Sequence, residues 1–143
     1  MESEIMASTA TSTKPTSSAP PTFQAFIDSL KDQGDALVPV LSPKRFSEAL
    51  DMDLQTLAEQ AHVHRNTLAR APNSRAIQDF LRQALRVIKA ATDLNGNVGT
   101  ALFWYRNEPL APFGYKTAEQ LVADGRADDL LDYIASLEAG AVG

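Results

Sequence analysis

Hydrophobic residues in this chain recur at three- and four-residue steps, a pattern that predicts helices and no long strand. The clearest case begins at Asn73 or Ser74, just after the helix-stopping Pro72. From there Ile77, Phe80, Leu81, Ala84, Leu85, Ile88 and Ala91 hold the 3.6-residue period, giving the longest helix of the chain. Asn95-Gly96-Asn97 ends it, because glycine enters the left-handed conformation that closes a helix.

Shorter helices flank this one. Thr22 can cap a helix with Phe23, Phe26, Ile27 and Leu30 on one face, ending near Gly34. Residues 35–41, centred on Pro39, read as an extended connector. Ser42-Pro43 is a cap followed by proline at the first helical position, opening a helix to about Leu50. Asp53 caps the next, with Leu54, Leu57, Ala58 and Ala61 inward. His62-Val63-His64 then turns the chain into a short helix from Arg65 to Ala71. Beyond the long helix, Val98 to Arg106 is helical and Pro109 stops it. Thr117 with Gln120 forms a capping box for a helix ending at Gly125. A last helix buries Ala127, Leu130, Leu131, Ile134 and Leu137 and terminates at Gly140. The predicted class is all-α, with seven or eight short helices around the long one. Phe103, Trp104 and Phe113 are expected in the core, since aromatics at helical spacing usually bury themselves.

Residues 1–21 are mostly Ser, Thr, Ala and Pro, with almost no bulky apolar group before Phe23, and are expected to be disordered. No stretch is long and apolar enough for a membrane span, and the N-terminus lacks a signal-peptide pattern, so the expected location is the cytoplasm. The chain has no cysteine, which removes disulfides and thiolate metal sites. Its two histidines, His62 and His64, are two positions apart and would point to different helix faces, a poor metal pair. No glycine-rich phosphate loop, nucleophile elbow or metal cluster occurs, so neither a cofactor nor enzymatic chemistry is expected.

Charge is uneven. Residues 43–90 hold eight basic and five acidic side chains, whereas residues 91–143 hold three basic and eight acidic. A cationic middle suits a polyanion and an acidic end suits a basic protein surface, although solvated faces would give the same counts.

The stretch from Leu54 to Ala71 has the pattern of a helix-turn-helix. Small Ala58 permits a close crossing, and Leu57, Ala61, Val63 and Leu68 form the corner. His64, Arg65, Asn66, Thr67 and Arg70 fall on the outward face of the second helix and are the candidate DNA-binding residues. Arginine forks onto guanine, asparagine onto adenine, and threonine reaches a phosphate or a thymine methyl. The turn commonly carries glycine, and His62 stands in its place. Two packed helices with a polar surface would also produce this pattern. Arg75, Arg82, Arg86 and Lys89 continue a basic ridge along the long helix, where Asp79 can neutralise part of it.

The C-terminal part, from Ala101 to Gly140, combines an aromatic helix containing Trp104, a loop with Pro109, Leu110 and Gly114, a capped helix reaching Leu121, a glycine junction at Gly125 and a terminal amphipathic helix. With the preceding corner this order resembles the Xre/MbcA/ParS antitoxin family over about residues 43–143. The chain departs from that pattern in having Thr117-Ala118 where a proline commonly follows the cap, and Phe103-Trp104-Tyr105 where one aromatic is usual. The resemblance implies a type II antitoxin for a RES-domain, NAD-consuming toxin, which also represses its own operon. Residues 43–73 would form the DNA-binding region. Residues 74–143 would form a toxin-binding and dimerisation domain, giving a homodimer within a larger complex. By the same analogy the chain's end would seal the toxin's active site, through Asp128, Asp129, Asp132, Tyr133, Ser136, Glu138 and Gly143. A stand-alone transcriptional regulator is the alternative expectation.

Overall fold

A computed structural model describes residues 22–32 and 40–142. The expected disordered tail over 1–21, the helix end at Gly34, most of the connector over 35–41 and the candidate Gly143 fall outside those residues. The described residues form an all-α structure of eight helices: α1 (Phe23–Leu30), α2 (Pro43–Ala49), α3 (Leu54–Ala61), α4 (Arg65–Arg70), α5 (Arg75–Asn95), α6 (Val98–Asn107), α7 (Ala118–Ala123) and α8 (Ala127–Val142). Among them the only extended pairings are two isolated bridges, Lys31 with Leu41 and Leu110 with Lys116. No described helix is long and apolar enough to cross a membrane.

The long helix α5 is the spine, touching α2, α3, α6, α7 and α8. Ile77, Leu81, Ala84, Leu85, Ile88 and Ala91 are buried along it as the period predicts, and Val87 joins them. Phe80 is half-buried at the edge. Truncating a buried leucine or isoleucine in such a row to alanine costs about 2–5 kcal/mol, so this face dominates the packing.

The helix ends follow local chemistry. Thr22, Ser42, Asp53 and Asn97 each accept a backbone N–H of the first turn. Thr117 and Gln120 form the reciprocal box, satisfying two donors that would otherwise lack partners. Gly96 and Gly125, at φ 79° and 80°, leave α5 and α7 in the left-handed conformation. The terminal helix departs from expectation: α8 runs through Gly140 to Val142 instead of stopping there. Glycine lowers helix propensity by roughly 1 kcal/mol, which is insufficient alone to end a helix whose next residues can continue it.

One buried polar side chain organises the joint between α1, α4 and α5. Gln78 is on the core side of α5, where its Nε2 donates to the carbonyls of Leu41 and Pro72 at 2.8 and 2.9 Å. Its Oε1 accepts the Leu41 N–H at 3.0 Å. Val40 and Leu41 are tied to α1 by the Asp32 N–H to the Val40 carbonyl and the Ser42 N–H to the Leu30 carbonyl, both 2.8 Å. Gln78 thus holds both the end of the connector and the exit of α4.

Candidate nucleic-acid and protein-binding surfaces

The first surface is built on the corner between α3 and α4. Leu57, Ala58, Ala61 and Leu68 are buried in it, and Val63 is half-buried. At Ala58 a larger side chain would hold the two helices apart. His62 closes α3 at φ 60°, ψ 41°, the left-handed conformation for which a glycine is the usual choice. Its ring compensates through Nε2, 2.7 Å from the Ala123 carbonyl at the end of α7. The Val63 N–H returns to the Ala58 carbonyl at 3.0 Å and completes the turn.

From this turn α4 leaves with a polar outer face. His64, Arg65, Asn66 and Arg70 are exposed, Thr67 is partly so, and only Leu68 points fully inward. His64, Asn66, Thr67, Arg70 and Ala71 line an open concavity of about 630 Å³. Four of the five candidate residues therefore line one concavity on a short helix held by apolar packing from behind, and Arg65 is exposed outside it. Asp53 stands at the edge of this surface. Its carboxylate is held below the ordinary range by the Thr56 N–H and hydroxyl, and Arg65 adds an attractive charge. The basic ridge on α5 is largely neutralised by exposed pairs: Arg82 with Asp79 at 3.4 Å and Lys89 with Asp93 at 2.9 Å.

The second surface lies on α8. Ala127, Leu130 and Ile134 are buried against the core, while Asp128, Asp129, Asp132, Ser136 and Glu138 are exposed. Two of these carboxylates have intramolecular partners: Asp128 pairs with Arg86 of α5 at 3.3 Å, and Asp129 with Arg126 at 3.1 Å. Tyr133, expected to be exposed, is half-buried. Its ring meets Phe113 edge-on at 5.6 Å, and the Arg126 guanidinium covers Phe113 at 5.2 Å. Leu137, expected in the core, is 39% exposed, because α8 has extended beyond the helices that could cover it.

The aromatic run on α6 divides differently from expectation. Phe103 is 69% exposed, Trp104 and Phe113 are half-buried, and Tyr105 is the buried member. Three consecutive helical positions face three directions, so only one can enter the core. Burial pushes the Tyr105 hydroxyl well above the usual tyrosine range, with Glu119 adding to the rise. That hydroxyl has no hydrogen-bond partner among the described residues.

Sequence patterning missed the polar junction beside it. Glu119 of α7 is buried and accepts from Arg106 Nε of α6 at 3.0 Å and from Gln60 Nε2 of α3. Arg106 Nη1 also donates to the carbonyls of Leu50 and Asp51. Gln60 and Glu119 are 59 positions apart, and no local spacing signals their meeting. Among the described residues no three His, Cys, Asp or Glu side chains converge as a metal site. No family model, curated protein or solved structure matches the chain.

Proposed function

We propose that the chain is a non-enzymatic antitoxin that binds operator DNA through a helix-turn-helix formed by α3 and α4 and occludes a RES-domain toxin with its C-terminal helices. The observation that carries the reading is the outer face of α4, where His64, Asn66, Thr67 and Arg70 line one concavity, with Arg65 exposed beside it, on a helix packed at a tight corner. These are the side-chain types that hydrogen-bond base edges and phosphates. A six-residue helix touches too few base pairs for useful specificity, so the reading includes a homodimer on a palindromic site.

Support for the toxin half comes from the exposed acidic side of α8. A site that handles the diphosphate of NAD requires basic groups, and carboxylates on an inserted helix complement them. Asp132 and Glu138 have no ion-pair partner among the described residues and are the freest to engage such groups. Residues 43–73 then serve DNA, and residues 74–143 serve the toxin and dimerisation.

Co-expression with the product of the adjacent gene is the test, read as co-purification and as rescue of growth with NAD levels followed. A chain lacking residues 138–143 should keep DNA binding and fail to protect cells. The pair Asp128→Lys and Asp132→Lys should also fail, because like charges in a partly desolvated interface cost several kcal/mol. Full protection by both variants would remove active-site occlusion and leave at most a regulator that binds the toxin elsewhere.

A further inference from the structure

We infer that the α3–α4 corner is energetically coupled to α7 and α8 through two polar ties, so that occupancy of the C-terminal surface is transmitted to α4. This regulation rests on the DNA-binding reading above. Two independent ties make the connection. The first is the Glu119 carboxylate, which joins Gln60 of α3 to Arg106 of α6, while Arg106 holds the two carbonyls that follow α2. One of those carbonyls belongs to Asp51, itself left-handed at φ 57°. The second tie is His62, whose ring reaches the Ala123 carbonyl from the middle of the turn that aims α4.

Both ties end on α7, and α7 is joined to α8 by a short closed turn. The Gly125 N–H meets the Val122 carbonyl at 3.0 Å and the Arg126 N–H meets the Leu121 carbonyl at 2.8 Å. Ala127 and Leu130 then enter the same core as Leu121 and Val122. A displacement of α8 by a partner therefore loads α7 directly. Glu119 is only 6% exposed, so moving α7 away from α3 would strand a buried carboxylate. The economical response is for α7 and the corner to move together. Gln60 supplies the compliant point, since its amide oxygen is buried without a partner and another arrangement could satisfy it. Neither Gln60, Arg106 nor Glu119 lines the concavity on α4, so any effect on DNA passes through the packing.

Coupling between binding free energies is reciprocal, so DNA on α4 must change the affinity of a partner for α8 by the factor by which that partner changes the affinity for DNA, and the change passes through α7. Hydrogen exchange on the full chain, with and without a duplex taken from immediately upstream of its own coding sequence, reads this directly. In the wild type, amides of α7 and of residues 124–126 should slow by roughly fivefold or more on DNA binding. Gln60→Met and His62→Gly, combined in one chain so that both ties are cut, should still bind DNA yet lose that slowing. Glu119→Gln should keep it, because the new amide retains an acceptor for Arg106 and the Gln60 amide can turn to present its oxygen. Slowing that persists in the doubly substituted chain, or DNA binding with no change in wild-type α7, overturns the coupling alone. A wild type that binds no DNA overturns the DNA reading and the coupling with it.

Discussion

Replacing Gln78 with Met tests whether one buried amide holds α4 and the connector in place. Methionine matches glutamine closely in length and volume, so the cavity contribution is small and the change isolates hydrogen bonding. Three bonds disappear: those to the Leu41 N–H, the Leu41 carbonyl and the Pro72 carbonyl. The two Leu41 groups are buried and have no other hydrogen-bond partner among the described residues, so each bears the cost of an unsatisfied polar group, about 1–3 kcal/mol. The Pro72 carbonyl is only partly buried and can recover water. Burying a thioether in place of an amide returns about 1 kcal/mol. The net loss is about 1–5 kcal/mol, or a fall in melting temperature of roughly 3–15 °C for a chain of this size. Thermal unfolding followed by circular dichroism measures it, with Arg82→Ala on the exposed side of α5 as the comparison, expected within about 0.5 kcal/mol of wild type. A Gln78→Met protein melting within 2 °C (roughly 0.6 kcal/mol) of wild type would refute the claim that this amide anchors the joint.

Further substitutions probe other parts of the account. Tyr105→Phe removes a buried hydroxyl that has no partner, so stability by chemical denaturation should stay level or rise; a loss above about 1 kcal/mol would reveal an unseen bond. At His62 a β-branched residue resists the left-handed conformation, so His62→Val should lose more than about 1 kcal/mol while His62→Gly stays within that margin. Equal losses would deny backbone strain at the turn. Asp53 has a folded pKa below its unfolded value, so its contribution is present above the ordinary aspartate range and fades as pH falls through the lower folded pKa. Asp53→Ser keeps a cap without a titrating charge, and its stability should depend less on pH between about 5 and 2; an unchanged acid profile would count against the cap.

Much of the helical layout was legible because it is local. The period along Ile77 to Ala91, the caps at Thr22, Ser42, Asp53 and Thr117, and the closing glycines Gly96 and Gly125 each act within a few residues. His62 was identifiable as the left-handed turn residue from its place between two short helices. The end of α8 was less legible, because Gly140 only weakens a helix and Leu137 depends on whether a neighbour reaches it. Phe103 illustrates the same limit: hydrophobicity alone does not tell which of three adjacent aromatics faces the core. Gln78, Gln60, Arg106 and Glu119 were invisible for a different reason. Their partners come from distant parts of the chain, and polar residues at helical positions read as solvated until tertiary contacts define them. The α4 face was assembled from adjacent positions and could be read early, whereas the ties that aim it could not.

The central claim is that α4 reads DNA. Fluorescence anisotropy at fixed salt, comparing a duplex from upstream of the chain's own coding sequence with a scrambled duplex, tests it most directly. Binding to the upstream duplex should be the tighter of the two. Arg65→Ala or Arg70→Ala should lose roughly 1–3 kcal/mol of that affinity, about five- to 150-fold, with helical content unchanged. Equal affinity for the two duplexes, or full affinity in both arginine variants, would contradict it.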